Sequence, residues 1–192
     1  MKNDRNHLLR LTVSALSVAL GLVLPFLTGQ IPAIGKMLSP MHIPVFLCGF
    51  LAGPLWGGAV GFITPLLRSV LFQMPALYPN AVCMAFELCV YGVAAGWFYR
   101  LLPKKIPYLY LSLAGAMLAG RAVFGVVKTA LLTMDTNLEA YTWKLFFAEA
   151  FVNAVPGIIL HVVAVPLLVI AIRSAVPSLR RLNEKQGRRS TE

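Results

Sequence analysis

SPMHIPVFLCGFLAGPLWGGAVGFITPLLRSVLFQMPALYP, residues 39–79, decides how this chain is read. The stretch is almost wholly apolar, yet it holds six of the thirteen prolines (Pro40, Pro44, Pro54, Pro65, Pro75 and Pro79) and a single charge, Arg68, inside a hydrophobic run. A soluble protein has no use for such a segment. In lipid, shortened or broken helices are tolerated where their freed backbone groups are buried in protein or line a cavity, and an intramembrane arginine marks a functional site by default. The stretch therefore predicts one wall of a ligand pocket in a small membrane protein.

Composition agrees. Of 192 residues, 58% are hydrophobic and only 12% charged, with mean hydropathy +0.76, so the number of spans matters more than a domain count from length. The net charge of +10 does not point to nucleic acid, because the basic residues sit at the ends of apolar runs rather than on a polar face interleaved with aromatics. Cys48, Cys83 and Cys89 lie in hydrophobic segments without CxxC or His-paired spacing, and read as packing residues. The first apolar run is longer than a signal core and reads as a true span.

Six spans are predicted, making an all-α integral membrane protein with one bundle of transmembrane helices. The first runs from Leu8 to about Thr28 and is broken late by Pro25. After the Gly/Pro-rich loop Gly29–Ser39, the second covers roughly Met41 to Gly53, short for a core of roughly 30 Å unless part of the preceding loop also enters the membrane. The third spans Leu55 to about Phe72 and is expected to be interrupted at Pro65. The fourth runs from Ala81 to Phe98, the fifth from about Tyr108 to Thr133, and the sixth from about Trp143 to Ile172. Residues 1–176 form the transmembrane domain and 177–192 a basic tail.

Lysine and arginine set the orientation. Lys2, Arg5, Arg10, Arg100, Lys104, Lys105, Arg173, Arg180, Arg181, Lys185, Arg188 and Arg189 fall on the side of the termini, against Lys36 and Lys144 in the opposite loops. Both termini are thus expected in the cytoplasm, and the tail is expected to be drawn to anionic membrane lipid.

Five charges fall inside spans: Arg68, Glu87, Arg121, Lys128 and Glu149. All but Arg121 are placed in the outer half of the bilayer by this topology. Arg121 and Lys128 share a helical face, as do Glu149, Asn153 and Gly157. Two readings stay open for any one of them: mutual pairing that only neutralises buried charge, or a ligand site. The set favours a site, since each central charge costs about 2.5 to 3.5 kcal/mol on insertion scales. His42 stands at the loop-to-span junction where a pocket mouth would be, and His161 reads as an interior hydrogen-bonding group. Phe72, Tyr78, Tyr91, Trp97, Tyr141 and Trp143 read mostly as an interfacial belt, with Tyr78 and Trp143 also able to close over a ligand. Ser14, Ala15, Ser17, Ala19 and Gly21 give the first span a small surface on which another helix can approach closely, either inside the bundle or from a partner. There is no GxSxG, HExxH or Walker loop, so no catalysis and no cofactor are expected, and transport would draw its energy from an ion gradient or another subunit.

Together these features resemble the substrate-binding S component of energy-coupling factor (ECF) transporters, above all in the run HIPVFLCGFLAGPLWGGAVGFITPLLRS and the AxxxA of the first span. The resemblance implies a subunit that captures a water-soluble vitamin near the outer surface, between the loop after helix one and helices four to six. It implies docking of Ala15 and Ala19 on a transmembrane T component, toppling in the membrane, and release driven by two cytosolic ATPase subunits. The substrate-site residues are then Arg68, Glu87, Arg121, Lys128, Glu149, Asn153, His42 and Tyr78. Their net positive charge suits a carboxylate or phosphate, and pantothenate is the first choice among the family's ligands, ahead of pyridoxine-type compounds, folate and riboflavin. A lone ion-coupled transporter would show inverted repeats, and spans one to three bear no visible likeness to four to six. A ligand-free membrane scaffold is the third alternative.

Overall fold

The computed structural model describes residues 2–28, 35, 37–103, 105–134, 154–176 and 179. Among these the chain is helical throughout: α1 (Lys2–Val23), ending in a 3-10 turn over Leu24–Thr28, α2 (His42–Ala52), α3 (Pro54–Phe72), α4 (Val82–Leu101), α5 (Ile106–Met134) and α6 (Val155–Ala175). Five helical stretches among the described residues are long and apolar enough to cross a membrane: Asp4–Leu27, Pro54–Phe72, Leu77–Leu101, Ile106–Thr133 and Val155–Ala175. Helical segments therefore stand where six spans were expected, but the second is too short to count as a crossing.

That short helix is the core. α2 has 11 residues, a length of about 16 Å, half of a hydrocarbon core. All of its residues except Ile43 are buried, as befits a helix apolar on every side. α1, α3, α4 and α6 surround it, and Val45, Phe46, Leu47, Phe50 and Leu51 join Leu88, Tyr91, Ala95, Leu113, Val165 and Val169 in one hydrophobic cluster. Gly53, with φ 107°, turns the chain from α2 into α3, and Pro54 starts α3, where its missing N–H is not needed.

Glycine decides how closely the surrounding helices approach. A Cβ on Gly92 would lie 2.2 Å from the Gly57 carbonyl oxygen, and one on Gly49 would lie 2.6 Å from that of Gly92. α2, α3 and α4 thus meet backbone to backbone, as small residues permit in membranes.

Contrary to the sequence expectation, α3 is not interrupted at Pro65. It continues unbroken to Phe72. Its neighbours hold the helix together there, as they do for prolines in transmembrane helices generally: Pro65 is buried in a helix that packs against α1, α2 and α4.

The small surface of α1 is divided rather than continuous. Ser14, Ser17 and Gly21 are buried; the Ser14 hydroxyl lies 3.5 Å from Cys48 Sγ, and a Cβ on Gly21 would meet Thr64 Cγ2 at 2.6 Å. Ala15 and Ala19 are exposed on another face.

Candidate functional site

The start of α2 collects polar groups from four segments. Ser39, just before it, takes φ 44°, a left-handed conformation uncommon outside glycine. Its carbonyl oxygen accepts the His42 backbone N–H at 3.0 Å. The same oxygen lies 2.9 Å from His42 Nδ1 and 3.2 Å from Nε2 of His161 on α6. A carbonyl only accepts, so both ring nitrogens donate to it. Gly157 on α6 makes this approach possible, since a Cβ there would lie 2.4 Å from the Met37 carbonyl oxygen.

α4 and α5 complete the cluster. Glu87 is buried, at 2% exposure, and its Oε1 lies 3.2 Å from Arg121 Nη1. The Tyr91 hydroxyl, one turn along α4, donates to the same oxygen at 2.7 Å. His42 Nε2 stands 4.0 Å from that oxygen. The rings pack together: His42 is 5.3 Å from Tyr91 and 5.5 Å from His161 between centroids, and Phe46 is 4.9 Å from Tyr91. A buried carboxylate is thus matched by one guanidinium and one hydroxyl donor, the arrangement that makes an interior charge tolerable.

Of the residues expected at the site, the fold brings His42, Glu87 and Arg121 into direct proximity. Lys128 follows Arg121 two turns along α5, its Nζ 5.2 Å from the Phe124 ring centroid. Arg68 is buried elsewhere, in the seam between α1 and α3: it donates to the Leu22 carbonyl, and its guanidinium lies 5.1 Å from the Phe26 ring and 5.4 Å from Phe72. Tyr78, in the turn before α4, is exposed and donates to the Leu131 carbonyl at 3.0 Å, tying that turn to α5. Glu149 and Asn153, with Tyr141 and Trp143, lie outside the described residues.

Sequence reasoning assigned Tyr91 to an interfacial belt. It is 1% exposed and belongs to the cluster; its spacing of four from Glu87, one helical turn, was the available signal. The role of Ser39 as a shared acceptor had no sequence signal, because it arises from backbone direction. Among the described residues no group of His, Cys, Asp and Glu is placed to hold a metal ion.

A second polar contact closes the other end of α2. Arg173 on α6 donates to the Tyr99 hydroxyl and, at 3.1 Å, to the Phe50 carbonyl; its guanidinium also lies over the Tyr99 ring at 4.4 Å. α6 therefore holds the short helix at both ends, through His161 and through Arg173.

The family model described as ECF transporter, substrate-specific component, matches residues 9–169. No individual curated protein and no solved structure shows a significant match.

Proposed function

We infer that this chain, which belongs to the family of ECF transporter substrate-specific components, uses the cluster around Glu87 to bind a water-soluble vitamin or related micronutrient, with pantothenate the first choice. The observation that carries the reading is the buried ion pair of Glu87 and Arg121 with His42 beside it. A helix bundle needs no such charges for its stability, and each is unfavourable in lipid.

The binding residues proposed are His42, Glu87 and Arg121, joined by Tyr91 and His161. Lys128 is assigned to an anionic part of the substrate. Glu149 and Asn153 are assigned to the same site from their place in the sixth span. Arg68 and Tyr78 are assigned to its edges, where they fix the tops of α1 and α5. The protein lies in the cell membrane with six membrane segments and both termini in the cytoplasm, the cluster towards the outside and the basic tail, 177–192, against anionic lipid. Ala15 and Ala19 dock on the transmembrane T component, and two cytosolic ATPase subunits drive release. The chain itself is not an enzyme.

The test is a thermal-shift panel on the purified chain in detergent, using pantothenate, pyridoxine, folate and riboflavin. A bound ligand at one hundred times its dissociation constant stabilises by about 2.7 kcal/mol, an upward shift that is readily measured. Silence across the panel would defeat the vitamin reading. Uptake by this chain alone in liposomes under an ion gradient would defeat the ECF assignment of its energy source.

A further inference from the structure

His42 presents an acceptor to the interior of the cluster. Its Nδ1 lies 2.9 Å from the Ser39 carbonyl oxygen, so Nδ1 carries the proton, and in the neutral ring Nε2 holds a lone pair. Nε2 is buried and has no hydrogen-bond partner among the described residues. What it faces, at 4.0 Å, is Glu87 Oε1, a second acceptor. Arg121 already supplies the positive charge opposite the carboxylate at 3.2 Å, and Tyr91 supplies a hydroxyl donor at 2.7 Å. Protonating His42 would therefore place a second cation beside a carboxylate that is already matched.

A buried acceptor left unmade costs about 1–3 kcal/mol. One donor can satisfy it: a nitrogen or oxygen can stand about 2.8 Å from both atoms, because their separation of 4.0 Å is less than twice that reach. An anion at the same point would stand against the imidazole lone pair and the carboxylate, and the positive charge of Arg121 is already matched to Glu87. We propose that His42 Nε2, with Glu87 beside it, selects for a hydroxyl, amide or amine donor on the substrate and against a carboxylate or phosphate at that position. The proposal rests on the cluster being the substrate site. Anionic parts of the same molecule then lie towards Arg121 and Lys128, so the site reads the substrate's two ends by opposite polarity.

Two measurements test it. In protein labelled with nitrogen-15 histidine, in detergent and without added vitamin, the His42 signals are identified by their loss in His42→Gln. They are expected to show a protonated Nδ1 and an unprotonated Nε2; a protonated Nε2 overturns the proposal. The second measurement compares binding within matched pairs: pyridoxine and 4-deoxypyridoxine, riboflavin and its N3-methyl derivative, pantothenate and its analogue lacking the secondary hydroxyl. In the pair that binds, removing the donor is expected to weaken wild-type binding about tenfold or more, the effect of one unmade buried hydrogen bond. His42→Phe, shown to be folded by size-exclusion chromatography, is expected to lose that discrimination. Equal affinity within every binding pair, or discrimination unchanged in His42→Phe, overturns the proposal and leaves the vitamin reading standing. Failure of all the compounds to bind defeats both.

Discussion

Neither Glu87 nor Arg121 is at ease alone where the fold puts it, and that dependence is measurable. Removing one partner of a buried pair leaves an uncompensated charge, so Arg121→Ala should destabilise by on the order of 3–5 kcal/mol in denaturant unfolding in detergent. Replacing both, as Glu87→Met with Arg121→Met, should cost clearly less than the two single losses together; strict additivity would show that the pair is not coupled. Arg173→Ala, which strips a donor from the Phe50 carbonyl and the Tyr99 hydroxyl, should lower stability by about 1–3 kcal/mol, and Tyr99→Phe by less, since the Phe50 contact survives. Glu87 and Arg121 were legible in the sequence because a charge inside an apolar run has few innocent explanations. Tyr91 was read as interfacial because an aromatic is equally at home at an interface and in a core, and its spacing of four from Glu87 was the one local sign of the second. The contact of His161 with Ser39, across 122 positions, follows from how α6 packs on the loop before α2, which no local pattern encodes.

α2 shows how much of an element hydropathy can and cannot reveal. Its apolar character and the Gly53-Pro54 turn were readable, and its shortness was suspicious. That it would be wrapped by four other helices depends on the glycines of α3 and α4, whose partners lie far along the chain. Gly92→Ala should therefore be damaging: the added methyl would press into the Gly57 backbone, and overpacking of this kind costs about 1–3 kcal/mol or more. Gly115→Ala is the control, because the nearest atoms there belong to the Phe98 side chain at 3.0 Å, which can move; its effect on the unfolding midpoint should be much smaller. Pro65 is the counterexample for sequence reading. A proline rule that holds for isolated helices was overridden by the packing of α3 against its neighbours.

Across the molecule, α1 turns its serines inward and its alanines outward, which leaves Ala15 and Ala19 exposed, as the proposed docking role requires. Ala15→Leu with Ala19→Leu should abolish co-purification with the T component while leaving the vitamin thermal shift intact; undiminished assembly would remove the docking assignment. The whole bundle, all-helical and apolar, was legible from composition alone, whereas the grouping of His42, Glu87 and Arg121 required the folded arrangement of α2, α4 and α5. The shortness of α2 has a further consequence, for electrical work. On the proposed topology, a helix half as long as the hydrocarbon core with its Gly53 end towards the cytoplasm puts the cluster at its first turn inside the membrane, so a substrate would reach that seat only after entering the membrane field. Glu87 lies five residues past the start of α4; with the membrane boundary taken at that start, this is a depth of about 7.5 Å or roughly a quarter of the hydrocarbon core. A substrate with one net charge would then exchange about 0.6 kcal/mol with each 100 mV of membrane potential. Its apparent affinity would change by a factor of about 2.5 to 3 between polarised and depolarised vesicles, while that of a neutral substrate would not move.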